Sequence, residues 1–205
     1  MTGQRIRPLL LAMTALMVLA FPGRIFAQET RPEHDWSRCS ALNLSLGVAT
    51  SDSELGGAYG GGVRWGLRRW LALNADGLWL PRPDGEKRFA AGVTAEFSIV
   101  DEWGAQPFVQ AGFGASVATF DLSRRSMPGF YARRLAPDVG EHAMARTFTD
   151  PALFVGAGLK SLVARNLELR PGVSTIIAMH DGRTNVTALI TLGVSFHIEN
   201  RAITP

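Results

Sequence analysis

Residues 186–198 read VTALITLGVSFHI. Val186, Ala188, Ile190, Leu192, Val194, Phe196 and Ile198 fall on one parity, and Thr187, Leu189, Thr191, Gly193, Ser195 and His197 on the other. A period of two defines a strand with two unlike faces. One face is wholly apolar, and the other is mostly small or polar. Thirteen residues is long for a strand in water, where about 5–6 is usual, and close to what a tilted strand needs to cross a bilayer.

Upstream, the same alternation predicts seven more strands. Strand 1 (41–50) sets Leu42, Leu44, Leu46 and Val48 on one face, and strand 2 (57–68) sets Tyr59, Val63, Trp65 and Leu67 against Gly60, Gly62, Arg64 and Gly66. Strand 3 (71–80) sets Leu71, Leu73, Ala75 and Trp79 against Asn74 and Asp76, and strand 4 (88–100) sets Phe89, Val93 and Phe97 against Gly92, Thr94 and Glu96. Strand 5 (107–120) carries Val109, Phe113 and Val117 against Gln110, Gly112 and Gly114. Strand 6 (152–162) carries Leu153, Val155 and Leu159 against Gly156, Gly158 and Lys160, and strand 7 (167–179) carries Leu167, Leu169 and Val173 against Glu168, Arg170 and Gly172. No stretch has a convincing helical period. The connections alternate: 68–70, 100–106 and 162–166 are short, and 51–56, 81–87, 121–151 and 180–185 lie between them.

At the start, Arg5 and Arg7 precede an apolar run from Leu9 to Phe21, and Ile25-Phe26-Ala27 ends in a small residue. This is the layout of a secretory signal peptide cleaved after Ala27. The expected organisation is a signal peptide over 1–27, a periplasmic segment over 28–40, a barrel over 41–198 and a short tail over 199–205. Of the 21 basic residues, Arg5, Arg7 and Arg24 leave with the signal, so the mature chain carries 18 basic and 18 acidic residues. The basic pI of the precursor is therefore no argument for nucleic acid. Cys39 is the only cysteine, so neither an internal disulfide nor a thiolate metal site is expected.

Either face could point outward. A water-soluble, lipocalin-like barrel would turn its apolar set inward, leaving a surface of Gly, Ala, Ser and Thr that suits solvent poorly. The same small set suits the cramped interior of an eight-stranded barrel in a membrane. Arg64, Asp76, Glu96, Lys160, Glu168 and Arg170 would then meet inside, three bases with three acids, as a salt-bridge network or the lining of a narrow pore. Trp65, Trp70, Trp79 and Trp103 fall near strand ends, as an aromatic girdle or as isolated packing residues.

In 191–198, Thr191, Gly193, Phe196 and Ile198 resemble the C-terminal assembly signal of bacterial outer-membrane barrels, although seven residues follow. Together with the signal peptide, the strand pattern and the loop alternation, residues 41–198 resemble the small eight-stranded outer-membrane β-barrel family, the OmpA/OmpX-like group. The resemblance implies an all-β, eight-stranded antiparallel up-and-down transmembrane β-barrel. It also implies the Gram-negative outer membrane as location, with outer-membrane lipid, lipopolysaccharide and the barrel-assembly machinery (through Thr191–Ile198) as partners.

Family members include anchors, adhesion factors and lipid-modifying enzymes, so activity must come from the site. Lipid A deacylases of this type carry His and Ser two apart on one strand. The residue two beyond His180 is Gly182, and Ser174 and Asp181 lack that spacing. His142, His180 and His197 are scattered without metal-ligand spacing, so neither a metal nor another cofactor is expected. Gly56–Gly62 lacks the Lys-Ser/Thr ending of a phosphate loop, and Asn185-Val186-Thr187 is a sequon of a frequency expected by chance. The long connection 121–151 holds Arg124, Arg125, Arg133 and Arg134 among Met127, Pro128, Phe130 and Tyr131. Guanidinium forks suit phosphates and carboxylates, which makes these arginines the expected binding residues for lipopolysaccharide or another surface partner. The alternative is a solvated loop. The expectation is a non-enzymatic barrel with an envelope-stabilising or surface-interaction role; a lipid A-modifying enzyme or a narrow pore stands as the alternative.

Overall fold

The computed structural model describes residues 40–51, 54–82, 86–99, 105–121, 128–134, 145–164 and 166–198. The expected signal peptide (1–27), Cys39, Trp103, Arg124, Arg125, His142 and residues 199–205 lie outside them. Eight strands follow one another: β1 Ser40–Ser51, β2 Glu54–Arg68, β3 Leu71–Pro81, β4 Lys87–Ser98, β5 Ala105–Asp121, β6 Ala145–Ala164, β7 Leu167–His180 and β8 Arg183–Ile198. Each pairs antiparallel with the next, and β8 closes on β1 from Ser40↔Ile198 to Thr50↔Ala188, giving a closed barrel in sequence order. Closure leaves no strand edge around the staves, and an open edge is what a sheet in hydrocarbon cannot tolerate. We call the end where β1 begins and β8 finishes the terminal end, and the opposite one the loop end.

The apolar parity faces out. Leu42, Leu44, Leu46 and Val48 are exposed, Leu44 by 59%, whereas Ala41 and Ala49, on the opposite parity at either end of that run, are buried. The same alternation exposes Phe89, Val93 and Phe97 on β4 and Val109 and Phe113 on β5. This is the reverse of a lipocalin-like barrel. Tyr59, Trp79 and Phe89 stand side by side in register toward the loop end, and Trp65, Trp70, Phe97 and Phe196 lie toward the terminal end, all exposed. From Leu71, paired with Phe97, to Trp79 is eight residues of β3. That is about 26 Å along a strand, or roughly 20 Å along the barrel axis at a tilt near 40°. The two aromatic rows thus bracket a band of hydrocarbon-like height.

Two connections differ from the sequence reading. The 180–185 connection is a two-residue turn, Asp181-Gly182, both with positive φ (45° and 73°). That is the backbone a tight hairpin requires, and Asp-Gly supplies it. β6 begins at Ala145, seven residues before the expected 152. Residues Ala145–Pro151 pair with β5 (Asp121↔Ala145 to Ala115↔Pro151), while pairing to β7 starts only at Ala152↔Ala178. Pro151 thus sits where the second ladder has stopped, the kind of position a proline tolerates. The long connection shrinks to 122–144, and within it residues Gly129–Ala132 form a one-turn helix, α1.

The interior has an apolar middle. Ala49, Ala58, Leu80, Ala90, Ala152, Ile176 and Leu189 pack together, with Leu78 and Phe154 against them. Phe154 lies across the barrel over Gly92, where an added Cβ would come within 2.7 Å of its ring. Gly92 is small because that ring needs the space.

Candidate functional site

Polar side chains fill the lumen on both sides of this apolar septum. On the terminal side, Glu96 is fully buried and receives Arg64 Nη2 at 3.0 Å, Lys160 Nζ at 3.2 Å and Arg170 Nη2. Ser98 Oγ donates to Glu96 Oε1 at 3.3 Å, and Lys160 Nζ donates to Ser98 Oγ at 2.6 Å. Asn74 Nδ2 donates to Glu96 Oε2 at 3.4 Å. Glu168 takes Arg170 Nη1 at 3.2 Å and Arg64 Nη1 at 3.8 Å, and His197 Nε2 lies 3.3 Å from its Oε2. Asp76 sits beside Asn43 and Arg170. The Arg170 guanidinium also stacks on Phe108, 4.8 Å from the ring centroid. The structure therefore brings together, around Glu96, the six charged residues that the strand pattern placed inside. Sequence reasoning missed Asn74, Ser98 and His197 as members; all three share the inward parity and could have been found by it.

The loop side holds a second assembly. Glu86 bridges Arg82 Nε (3.4 Å) and Arg88 Nη2 (2.7 Å), Arg88 Nη1 donates to the Thr187 hydroxyl, and Arg82 Nη1 donates to the Ser51 carbonyl at 3.0 Å. Over them folds the segment 128–134. Tyr131 is fully buried against Ala118 and Phe120, with Phe130 and Phe148 packed on it. Its ring centroid is 4.8 Å from Phe120, 4.7 Å from Phe130 and 5.3 Å from Phe148. Burial first, and Asp150 and Glu86 after it, push the Tyr131 hydroxyl up to about 12, against the opposing pull of Arg88 and Arg134.

Arg134 corrects an expectation. Instead of facing solvent, its Nη1 donates to both oxygens of the buried Asp150 at 2.8 Å, and its guanidinium sits 4.7 Å from the Phe148 centroid. The arginine is taken up inside, holding α1 down as a cap. Arg133 beside it is exposed. Asp150 escaped the sequence reading because Asp150-Pro151 looks like a turn, not a strand. His180 Nδ1 is 3.3 Å from Asp150 Oδ1, and its Nε2 is 3.3 Å from Asp181 Oδ2. Among the described residues no serine or threonine hydroxyl is hydrogen-bonded to it, and no group of His, Cys, Asp and Glu could hold a metal ion.

No protein-family profile matches the chain, and no curated protein is similar to it in sequence. Solved structures are similar in fold. Neisserial surface protein A superposes with a TM-score of 0.58 at 14% identity, covering 80% of this chain and 99% of that one. The N-terminal β-barrel domain of OprF from Pseudomonas aeruginosa gives 0.54 at 14% identity, covering 77% and 97%. The fold is that of the small eight-stranded outer-membrane β-barrels.

Proposed function

We propose that this chain is a non-enzymatic protein of the Gram-negative outer membrane that stabilises the envelope or engages a surface partner at its loop end. The observation that carries the reading is a lipid-ready wall around a filled interior. The wall is a continuous apolar band between two aromatic rows. The interior is occupied in turn by an ion-pair cluster, an apolar septum and a capped polar layer. With the wall given to lipid and the lumen given to packing, the loop end is the surface left for recognition. In this reading the terminal end lies in the periplasm, the habit of barrels with short periplasmic turns, and Thr191–Ile198 guides assembly. Export would follow from the signal peptide.

The exposed Arg133, with Arg124 and Arg125, would meet lipopolysaccharide phosphates or an anionic partner; Arg134 contributes by fixing the cap that carries Arg133. One exposed pair is worth only about 0–1 kcal/mol, so single substitutions should change little. The experiment replaces Arg124, Arg125 and Arg133 together with Gln and follows lipopolysaccharide binding across a salt series, with heat-dependent gel mobility as the folding control. Reduced binding and a flatter salt dependence are expected. Unchanged binding would remove the loop from the reading, and recovery of the protein as a soluble monomer would remove the membrane.

A further inference from the structure

The end of β2 contains an irregularity that the two interior layers do not use. Gly66 pairs with Ala72 but Arg68 pairs with Leu71, so β2 spends two residues where β3 spends one. A bulge of this kind re-aims the side chains beyond it. By strict alternation Arg68 would share the lumen parity of Arg64 and Gly66. Because Leu67 is the extra residue, Arg68 instead comes opposite the outward residue Leu71 and is exposed. Its guanidinium carbon lies 5.9 Å from the Trp70 centroid. Trp70 is itself fixed: its carbonyl accepts from Ser98 N at 2.9 Å, and its ring stacks on Phe97 at 6.1 Å and 18°. No carboxylate pairs with Arg68 among the described residues.

We infer that Arg68, held over Trp70 by the Leu67 bulge, is a binding site for the phosphate of an anionic glycerophospholipid in the leaflet at the terminal end. A cation held over a tryptophan ring at the rim of an apolar wall keeps its fork free for a phosphodiester. The exposed Trp65, Leu67 and Phe97 below it continue the lipid-facing band and offer a surface for the acyl chains. The site rests on the membrane reading above and goes beyond it by naming a lipid class and a leaflet.

The test reconstitutes the full chain into vesicles of equal parts phosphatidylcholine and phosphatidylglycerol. The barrel is then released in mild detergent, and its retained lipids are counted by native mass spectrometry. Phosphatidylglycerol should be enriched over phosphatidylcholine, and Arg68→Gln should cut that enrichment several-fold. Arg183→Gln, an exposed arginine at the opposite end, should leave it unchanged. Enrichment that survives Arg68→Gln, or no enrichment on a barrel that has inserted, overturns the site and leaves the membrane reading standing. A chain that inserts into neither this mixture nor pure phosphatidylcholine overturns both.

Discussion

Glu96 is the residue whose loss should cost most. It is fully buried and faces Arg64, Lys160 and Arg170 at once. Glu96→Gln leaves three buried cations turned toward one neutral amide. Breaking a buried pair by removing one partner costs about 3–5 kcal/mol, and urea unfolding of the barrel in lipid should show a loss of that order. Tyr131 makes a sharper case because the chain has two tyrosines. In a Tyr59→Phe background, tyrosinate absorbance should rise near pH 12 instead of 10. The fold holds the neutral phenol, so its contribution is complete below about pH 10 and is lost as the pH climbs toward 12. Alkali in that window should release the cap, read as faster tryptic cleavage near Arg133 and Arg134. A midpoint at the ordinary value would mean the hydroxyl is not buried under α1. The terminal-side charges were legible from parity alone, since Arg64, Asp76, Glu96, Lys160, Glu168 and Arg170 all share the inward register. The role of Arg134 was not, because its partner Asp150 precedes a proline, and no local pattern says that a loop folds back onto a strand.

At the level of the strand, β8 separates two faces one residue apart. Val194 lies outward between Leu44 and Leu169, and Ser195 lies inward, its hydroxyl donating to Asn43 Oδ1 at 2.7 Å. Val194→Arg puts a charge against lipid and should cost about 2–4 kcal/mol if the site lies near the midplane. Ser195→Arg meets the crowded lumen instead, where space and pairing decide. Comparable losses with equal reactivity toward a lipid-borne probe would invert the two faces. All eight strands were readable from period two, with their ends displaced by a few residues except at β6. Three features escaped. The Asp181-Gly182 hairpin carried a readable signal in its dipeptide. The early start of β6 was hidden by Pro151, which is harmless only because the ladder between β6 and β7 has already stopped there. The Leu67 bulge has no sequence mark, since it exists only in the register between two strands.

For the molecule as a whole, the septum predicts electrical silence. Planar-bilayer recordings of the wild-type barrel should show no steady unitary conductance, because Leu78, Leu80, Phe154, Ile176 and Leu189 meet across the lumen. Regular open events would mean that these side chains part readily, and the interior would have to be reread as a pore. The architecture was legible because membrane and lumen impose opposite chemistries on alternate residues. The arrangement of the loop end was not, because alternation does not encode how a loop folds back on its strands. The seam between β1 and β8 also bears on how the chain is made. Ser40 pairs with Ile198 and Thr50 with Ala188, so the first strand synthesised must wait for the last. Every other pair joins neighbours and can form as the chain emerges, but this one spans nearly the whole polypeptide and carries the largest loop-closure cost. A nascent chain stalled anywhere before β8 carries two unsatisfied edges and no route to a smaller complete barrel. Its production is all or nothing, and any factor that keeps β1 waiting without aggregating governs the yield.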